Sequence, residues 1–111
     1  MESVQLLELA DGLLAEARAA DNGRRARTLF GRPGHRLRQT LLALAAGQAL
    51  GEHNSPGEAT LQVVRGQVRL DTGGQTWTGT AGDVVLIPPD RHDLVALEDS
   101  AVLLTVANDP A

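Results

Sequence analysis

The chain contains no cysteine and no lysine among its 111 residues, and Phe30 and Trp77 are its only aromatic residues apart from histidine. Without cysteine there is no disulfide, no thiolate nucleophile and no zinc–thiolate site. With so few aromatic residues, the core must be built from leucine, valine and alanine. The length suffices for one domain with a single hydrophobic core, and 42% apolar composition is typical of a globular chain.

Long apolar runs are also missing from the sequence. None approaches the roughly 20 residues that a transmembrane helix needs. The N-terminus lacks the basic start and the continuous apolar stretch of a secretory signal. We therefore expect a cytoplasmic protein that has no membrane partner.

The basic residues are unevenly placed along the chain. Seven of the ten arginines fall within residues 18–38, although the formal net charge of the whole chain is −4. A basic patch can bind phosphates or nucleic acid. The negative overall charge argues against a nucleic-acid partner, so we interpret the patch as a solvated rim or a subunit contact.

The N-terminal segment has the pattern of an amphipathic helix. Apolar residues recur at spacings of three and four across residues 3–20, with Ser3 as the expected N-cap and Asn22-Gly23 as the stop. Such a helix needs an apolar surface to cover, on its own chain or on a second copy. We assign residues 1–23 to the helix and cap, and residues 24–111 to the main domain.

The remainder of the chain has the pattern of short strands. Between residues 51 and 108, β-rich runs alternate with turns at intervals of 8 to 12 residues, which is typical of a sandwich or barrel. Two of these runs, TLQVVRG and QVRL, flank Gly66. Residues 37–50 are the exception, because their Leu, Ala and Gln content favours a helix by propensity alone.

Two stretches of the sequence, within residues 36–107, resemble the two motifs of the cupin family. The residues that carry the resemblance are Gly47, His53, Gly66, Gly82, Asp83, Pro88 and His92. The resemblance implies an all-β fold, a double-stranded β-helix of the cupin or jelly-roll type, with an N-terminal α-helix. It also implies a barrel strand over residues 37–46, since strands buried on both faces read as continuous apolar runs.

The resemblance further implies a metal site of three histidines and one carboxylate or amide, from which this sequence departs. Ser55 stands where the second histidine of the first motif is usual, and Ala59 where the carboxylate is usual. His53 and His92 remain as candidate ligands for iron, manganese or zinc. Glu58 could join them only if its strand bulges, because neighbouring strand residues point to opposite faces.

Two principal functions follow from these residues. The favoured hypothesis is a barrel with a degenerate metal site that binds a small molecule in an apolar pocket with a few polar groups at its mouth. The expected pocket residues are His53, Ser55, Ala59, Leu61, Val63, His92 and Leu94. The alternative is a metal-dependent cupin enzyme of the dioxygenase, isomerase or decarboxylase type that uses His53 and His92.

Further alternatives stay open at this point. His92 beside Asp93 suggests a metal-free acid–base catalyst. A sensor domain acting on DNA would need a separate DNA-binding partner, since the sequence predicts one helix and no helix-turn-helix. The family resemblance also implies a homodimer, formed through sheet edges or exchanged N-terminal segments.

Overall fold

The computed structural model of the protein describes residues 1–54 and 57–108. Within these ranges, the elements in chain order are α1 (Leu6–Ala19), β1 (Arg24–Phe30), β2 (Leu37–Leu44), β3 (Glu58–Arg65), β4 (Gln67–Thr72), β5 (Gln75–Thr80), β6 (Val84–Leu86), β7 (His92–Ala96) and β8 (Ser100–Ala107). No helix in the described part of the chain has the length and apolar character needed to cross a membrane.

The strands form two antiparallel sheets that face each other across a shared core. The larger sheet has the order β1-β2-β8-β3-β6, and the smaller sheet has the order β5-β4-β7. Between β2 and β3, residues 49–53 run beside β7, where Ala49 bridges Val95 and His53 bridges His92. This arrangement confirms the predicted all-β jelly-roll barrel with an N-terminal helix.

β2 resolves the conflict between helical propensity and the strand prediction for residues 37–46. It is a strand that pairs with β1 on one side and with β8 on the other. Leu41 and Ala43 pack in the cluster beneath α1, whereas Leu44 packs in the core between the sheets. Both faces of β2 are covered, and this double burial accounts for its continuous apolar run.

α1 lies on the outer face of the larger sheet of its own chain. The helix buries Ala10, Leu13, Leu14 and Ala17 against a patch on the sheet made of Leu41, Ala43, Val64, Ala101 and Leu103. An ion pair between Arg65 Nε and Asp11 Oδ1, 3.0 Å apart, connects the sheet to the helix. The apolar surface that the amphipathic helix required is therefore supplied in cis.

The predicted start of the helix is wrong by two residues. The N-cap is Gln5, not Ser3, and its Oε1 accepts hydrogen bonds from the backbone N–H groups of Leu7 (3.0 Å) and Glu8 (3.4 Å). A longer amide side chain thus takes the role that serine usually has at this position. The predicted stop is confirmed, since Gly23 follows the helix with a φ of 66°.

Gly66 connects β3 to β4 and needs to be glycine for two reasons. Its φ is 81°, in the left-handed region. A Cβ atom there would lie 2.3 Å from the Asp99 carbonyl oxygen and 2.4 Å from Ser100 Oγ. The buried Ser100 hydroxyl in turn accepts a hydrogen bond from the Gln67 N–H at 3.1 Å. The β3–β4 turn is therefore fixed against the turn that precedes β8.

Candidate functional site

A cavity of about 300 Å³ lies between the two sheets. Among the residues that the structure describes, the lining is apolar apart from His53, Asn54 and His92, and the remaining side chains are Leu, Ile, Val or Ala. β3 contributes Ala59 and Leu61 to one wall, and Leu94 on β7 lies in the opposite sheet. A volume of this size is at the lower end of the range for small-molecule pockets.

The two imidazoles reach this cavity from different parts of the chain because their backbones pair directly. The N–H of His53 donates to the His92 carbonyl, and the N–H of His92 donates to the His53 carbonyl, both at 3.0 Å. Residues paired in this way have side chains on the same face. The rings accordingly contact each other edge to face, with centroids 4.3 Å apart and planes at 70°.

The two histidines differ in their exposure to solvent. His92 is only 4% exposed, whereas His53 is exposed. The neighbouring residues Glu52 and Arg91 form an ion pair at 3.4 Å, with both side chains more than half exposed. His53 therefore marks the mouth of the cavity, and His92 lies deeper in it.

Backbone carbonyls fix one nitrogen of each ring. Nδ1 of His53 lies 3.0 Å from the Gly51 carbonyl oxygen, and Nδ1 of His92 lies 3.0 Å from the Asp90 carbonyl oxygen. A carbonyl can only accept, so Nδ1 is the donor and carries the proton in both rings. In the neutral form of each ring, Nε2 is then the nitrogen with a lone pair.

Most of the predicted pocket residues line this one cavity. The structure brings together His53, Ala59, Leu61, His92 and Leu94. Ser55 lies outside the described residues.

Val63, which was also predicted for the pocket, is placed elsewhere by the structure. Val63 is fully buried in the core but does not line the cavity. Its N–H donates to the Asp83 carbonyl at 2.9 Å, and the register of β3 against β8 shifts just beyond it. This end of β3 is therefore packed closed, while the end that begins with Ala59 is open.

Several lining residues were not predicted from the sequence. They are Leu42, Leu50, Asn54, Leu70, Ile87, Val102 and Leu104. Leu70 is directly opposite Leu94 in the β4–β7 register, so a correct strand pairing would have identified it. Strands β2 and β8 are apolar on both faces, and their sequences gave no signal for which face is interior.

Glu58 does not join the histidines. It is exposed and lines a separate groove of about 760 Å³, which shares Ala59 and Ile87 with the inner cavity. Glu58 pairs regularly with Ala107, and the register shift in β3 lies at the other end of the strand. The bulge that would turn its carboxylate inward is therefore absent at this position.

The side chains around the cavity do not fit a metal site of the usual kind. Residues 1–54 and 57–108 contain no cluster of three or more His, Asp or Glu side chains that could hold a metal ion. Zinc sites normally use at least three protein ligands, and two imidazoles alone fall short of that number. The described side chains at the cavity therefore supply two imidazoles and no carboxylate.

Comparison with known proteins places this geometry among related barrels. The family model described as Cupin domain matches residues 40–107. A conserved protein of unknown function, SPY1581, from Streptococcus pyogenes has a solved structure that is 29% identical, with a TM-score of 0.72 over 83% of this chain and 80% of that one. No curated protein matches the sequence.

Two further solved structures are similar over most of the chain. An RmlC-like cupin protein from Desulfovibrio desulfuricans is 24% identical, with a TM-score of 0.77 over 96% of each chain. A Cupin 2 conserved barrel domain protein from Salinispora arenicola is 29% identical, with a TM-score of 0.64 over 83% of each chain. The first of these likenesses extends the shared fold to nearly the full length of the chain.

Proposed function

The chain belongs to the cupin family, and on that premise we propose that it binds a small molecule in the cavity between its two sheets. The observation that carries the proposal is the combination of apolar walls with a pair of imidazoles in contact. Apolar walls favour ligands by burying their apolar surface, and a few polar groups select their orientation.

The shape of the cavity supports a compact ligand. Its volume of about 300 Å³ is enclosed by side chains from both sheets, with His53 and Asn54 exposed at one end. One molecule of the size of a substituted benzene ring fits a pocket at this lower end of the usual range.

A variant that fills the cavity tests the proposed function. Ala59→Leu places three more carbon atoms into the space that a ligand would occupy. Ligand-observed NMR with small substituted benzenes should show binding to the wild-type protein and at least a tenfold weaker affinity for the variant, because overlap of ligand and side chain is not tolerated in a packed interior.

Thr60→Leu is the matched control, since Thr60 is the next residue on β3 and lines the outer groove instead. It should leave binding unchanged. Equal affinities of the wild-type protein and Ala59→Leu would contradict the proposal.

The metal-dependent enzyme has less support. Its predicted ligands are His53 and His92, and Glu58 faces the outer groove. With no third ligand among the described side chains, we propose no reaction that depends on iron, manganese or zinc.

We also propose that the protein is a cytoplasmic homodimer. Val84 and Leu86 on the edge strand β6 are 60% and 72% exposed, and β6 pairs with β3 on one side only. An edge strand with free backbone groups and apolar side chains is a template for pairing with a second copy. Light scattering should give twice the chain mass for the wild-type protein and the monomer mass for Leu86→Lys. A wild-type monomer at all concentrations would contradict the proposal.

A further inference from the structure

The imidazole of His92 has a hydrogen-bond partner within the described residues at one of its two ring nitrogens. Its Nδ1 donates to the Asp90 carbonyl at 3.0 Å, and the residues described in the structure supply no hydrogen bond to its Nε2. The ring is 4% exposed and lines the apolar cavity. Among the described side chains, the buried polar atom without a partner is Thr72 Oγ1, so Nε2 of His92 is open to the cavity. A ligand that displaces water from Nε2 keeps the hydrogen bond only if it supplies a donor.

His53 repeats the same arrangement at the mouth. Its Nδ1 donates to the Gly51 carbonyl at 3.0 Å, which leaves Nε2 of the neutral ring as an acceptor as well. The two rings are in contact, so both acceptors belong to one end of the cavity. Asn54 beside them is exposed and carries both donors and acceptors, so it does not change the polarity of that end.

The lining also limits the charge of a ligand. Within residues 1–54 and 57–108, the side chains that line the cavity include no Asp, Glu or Arg. A carboxylate would bring its own lone pairs toward the lone pair of Nε2 in the neutral ring, and an ammonium group would be buried without a compensating charge. An ether or ketone oxygen would leave two acceptors facing each other without a proton between them.

We infer that the ligand is a compact, neutral molecule with an apolar body and one hydroxyl or N–H group that donates to Nε2 of His92. The inference rests on the proposed function and adds the chemical class of the ligand. Selectivity comes from the two backbone carbonyls, because they hold the proton on Nδ1 and so make Nε2 an acceptor.

Three probes of nearly equal shape test this class directly. p-Cresol carries a hydroxyl donor, p-xylene replaces it with a methyl group, and p-methylanisole keeps the oxygen without the donor. Affinities are measured by ligand-observed NMR at about pH 8, above the ordinary titration range of an imidazole, both without and with EDTA. We expect p-cresol to bind about three- to tenfold more tightly than the other two, as one net hydrogen bond provides.

A variant assigns the preference to one ring. His92→Phe keeps an aromatic ring and removes the acceptor, so p-cresol should lose its advantage and p-xylene should bind at least as well as p-cresol. His35→Phe is the matched control because His35 does not line this cavity, and it should keep the wild-type order. The comparison of probes in the wild-type protein stands by itself even if His92→Phe folds poorly.

The possible results with the three probes distinguish failure of the donor preference from failure of the proposed ligand site. Equal binding of all three probes would overturn the donor preference and leave an apolar ligand site in place. Binding of none of them at millimolar concentration would contradict the proposed function. A preference for p-cresol that disappears with EDTA would overturn direct donation to Nε2.

Discussion

Both faces of the larger sheet carry leucine and alanine side chains, but those on the outer face pack against α1 and those on the inner face line the cavity. On the outer face, Leu41 and Ala43 are completely buried beneath α1. On the inner face, Ala59 and Leu61 line a cavity of about 300 Å³. Alternation along a strand sorts residues between faces, and what lies opposite each face decides whether they pack tightly or leave space for a ligand.

Alanine residues have a different structural role on each face of the larger sheet. Ala43 on the sheet and Ala10 and Ala17 on the helix are all 0% exposed, which brings α1 close to the strands. Ala59 is nearly as buried, at 4%, yet it faces the cavity. The small side chain permits close contact between elements in the first case and preserves volume in the second.

The largest expected effect comes from truncating one leucine on each face. Leu41→Ala removes a fully buried side chain from the helix-covered face and should lower the free energy of unfolding by about 3–4 kcal/mol. Leu61→Ala enlarges a space that already exists and loses fewer contacts, so about 2 kcal/mol is expected. Urea unfolding followed by the fluorescence of Trp77, the single tryptophan, measures both.

The two faces differ in packing only if Leu41→Ala lowers the free energy of unfolding by more than Leu61→Ala does. A cost for Leu61→Ala equal to or greater than that for Leu41→Ala would show that the inner wall is as tightly packed as the outer face. Ile87, which the inner cavity shares with the outer groove, would then be expected to close over the space.

Replacing an alanine with leucine should change the free energy of unfolding by a smaller amount, and in opposite directions on the two faces of the larger sheet. Ala43→Leu would overpack the contact with α1 and should destabilise the protein by about 2 kcal/mol. Ala59→Leu fills the cavity and should stabilise the protein by about 1 kcal/mol. Thermal unfolding of the two variants beside the wild-type protein gives both signs. If both variants destabilise the protein, the cavity is not open space in solution.

The sequence was informative where a residue type is tied to one backbone geometry. Gly66 and the His53 and His92 motifs identified the barrel, and the structure has a strand over β2 despite its helical propensity. The strand parity of Ala59 predicted correctly that Glu58 faces away from the cavity unless the strand bulges. These inferences need only the local alternation of side chains.

Other features depend on packing that a single sequence does not encode locally. Leu41 and Leu42 are identical residues on one strand, and only the position of α1 makes one of them exterior. Val63 has the interior parity of Ala59 and Leu61, but the turn at Asp83 closes the barrel beside it. Gln5 caps the helix because of where its amide reaches, and Ser3 has the better propensity.

The smallest effect concerns the charged pairs that border the two faces. Asp11 and Arg65 connect α1 to the sheet at 3.0 Å, with the arginine side chain 38% exposed. Glu52 and Arg91 lie at the mouth of the cavity at 3.4 Å, with side chains 68% and 64% exposed. Exposed ion pairs contribute about 0–1 kcal/mol, and the contribution falls as solvent screening increases.

Asp11→Asn should therefore lower the free energy of unfolding by about 0.5 kcal/mol at low salt, whereas Glu52→Gln should leave it unchanged within error. Urea unfolding at low salt and in about 0.5 M sodium chloride distinguishes the two, because salt should abolish the effect of Asp11→Asn. A larger loss for Glu52→Gln than for Asp11→Asn would reverse the comparison. It would mean that the mouth of the cavity, and not the helix contact, is the face held together by charge.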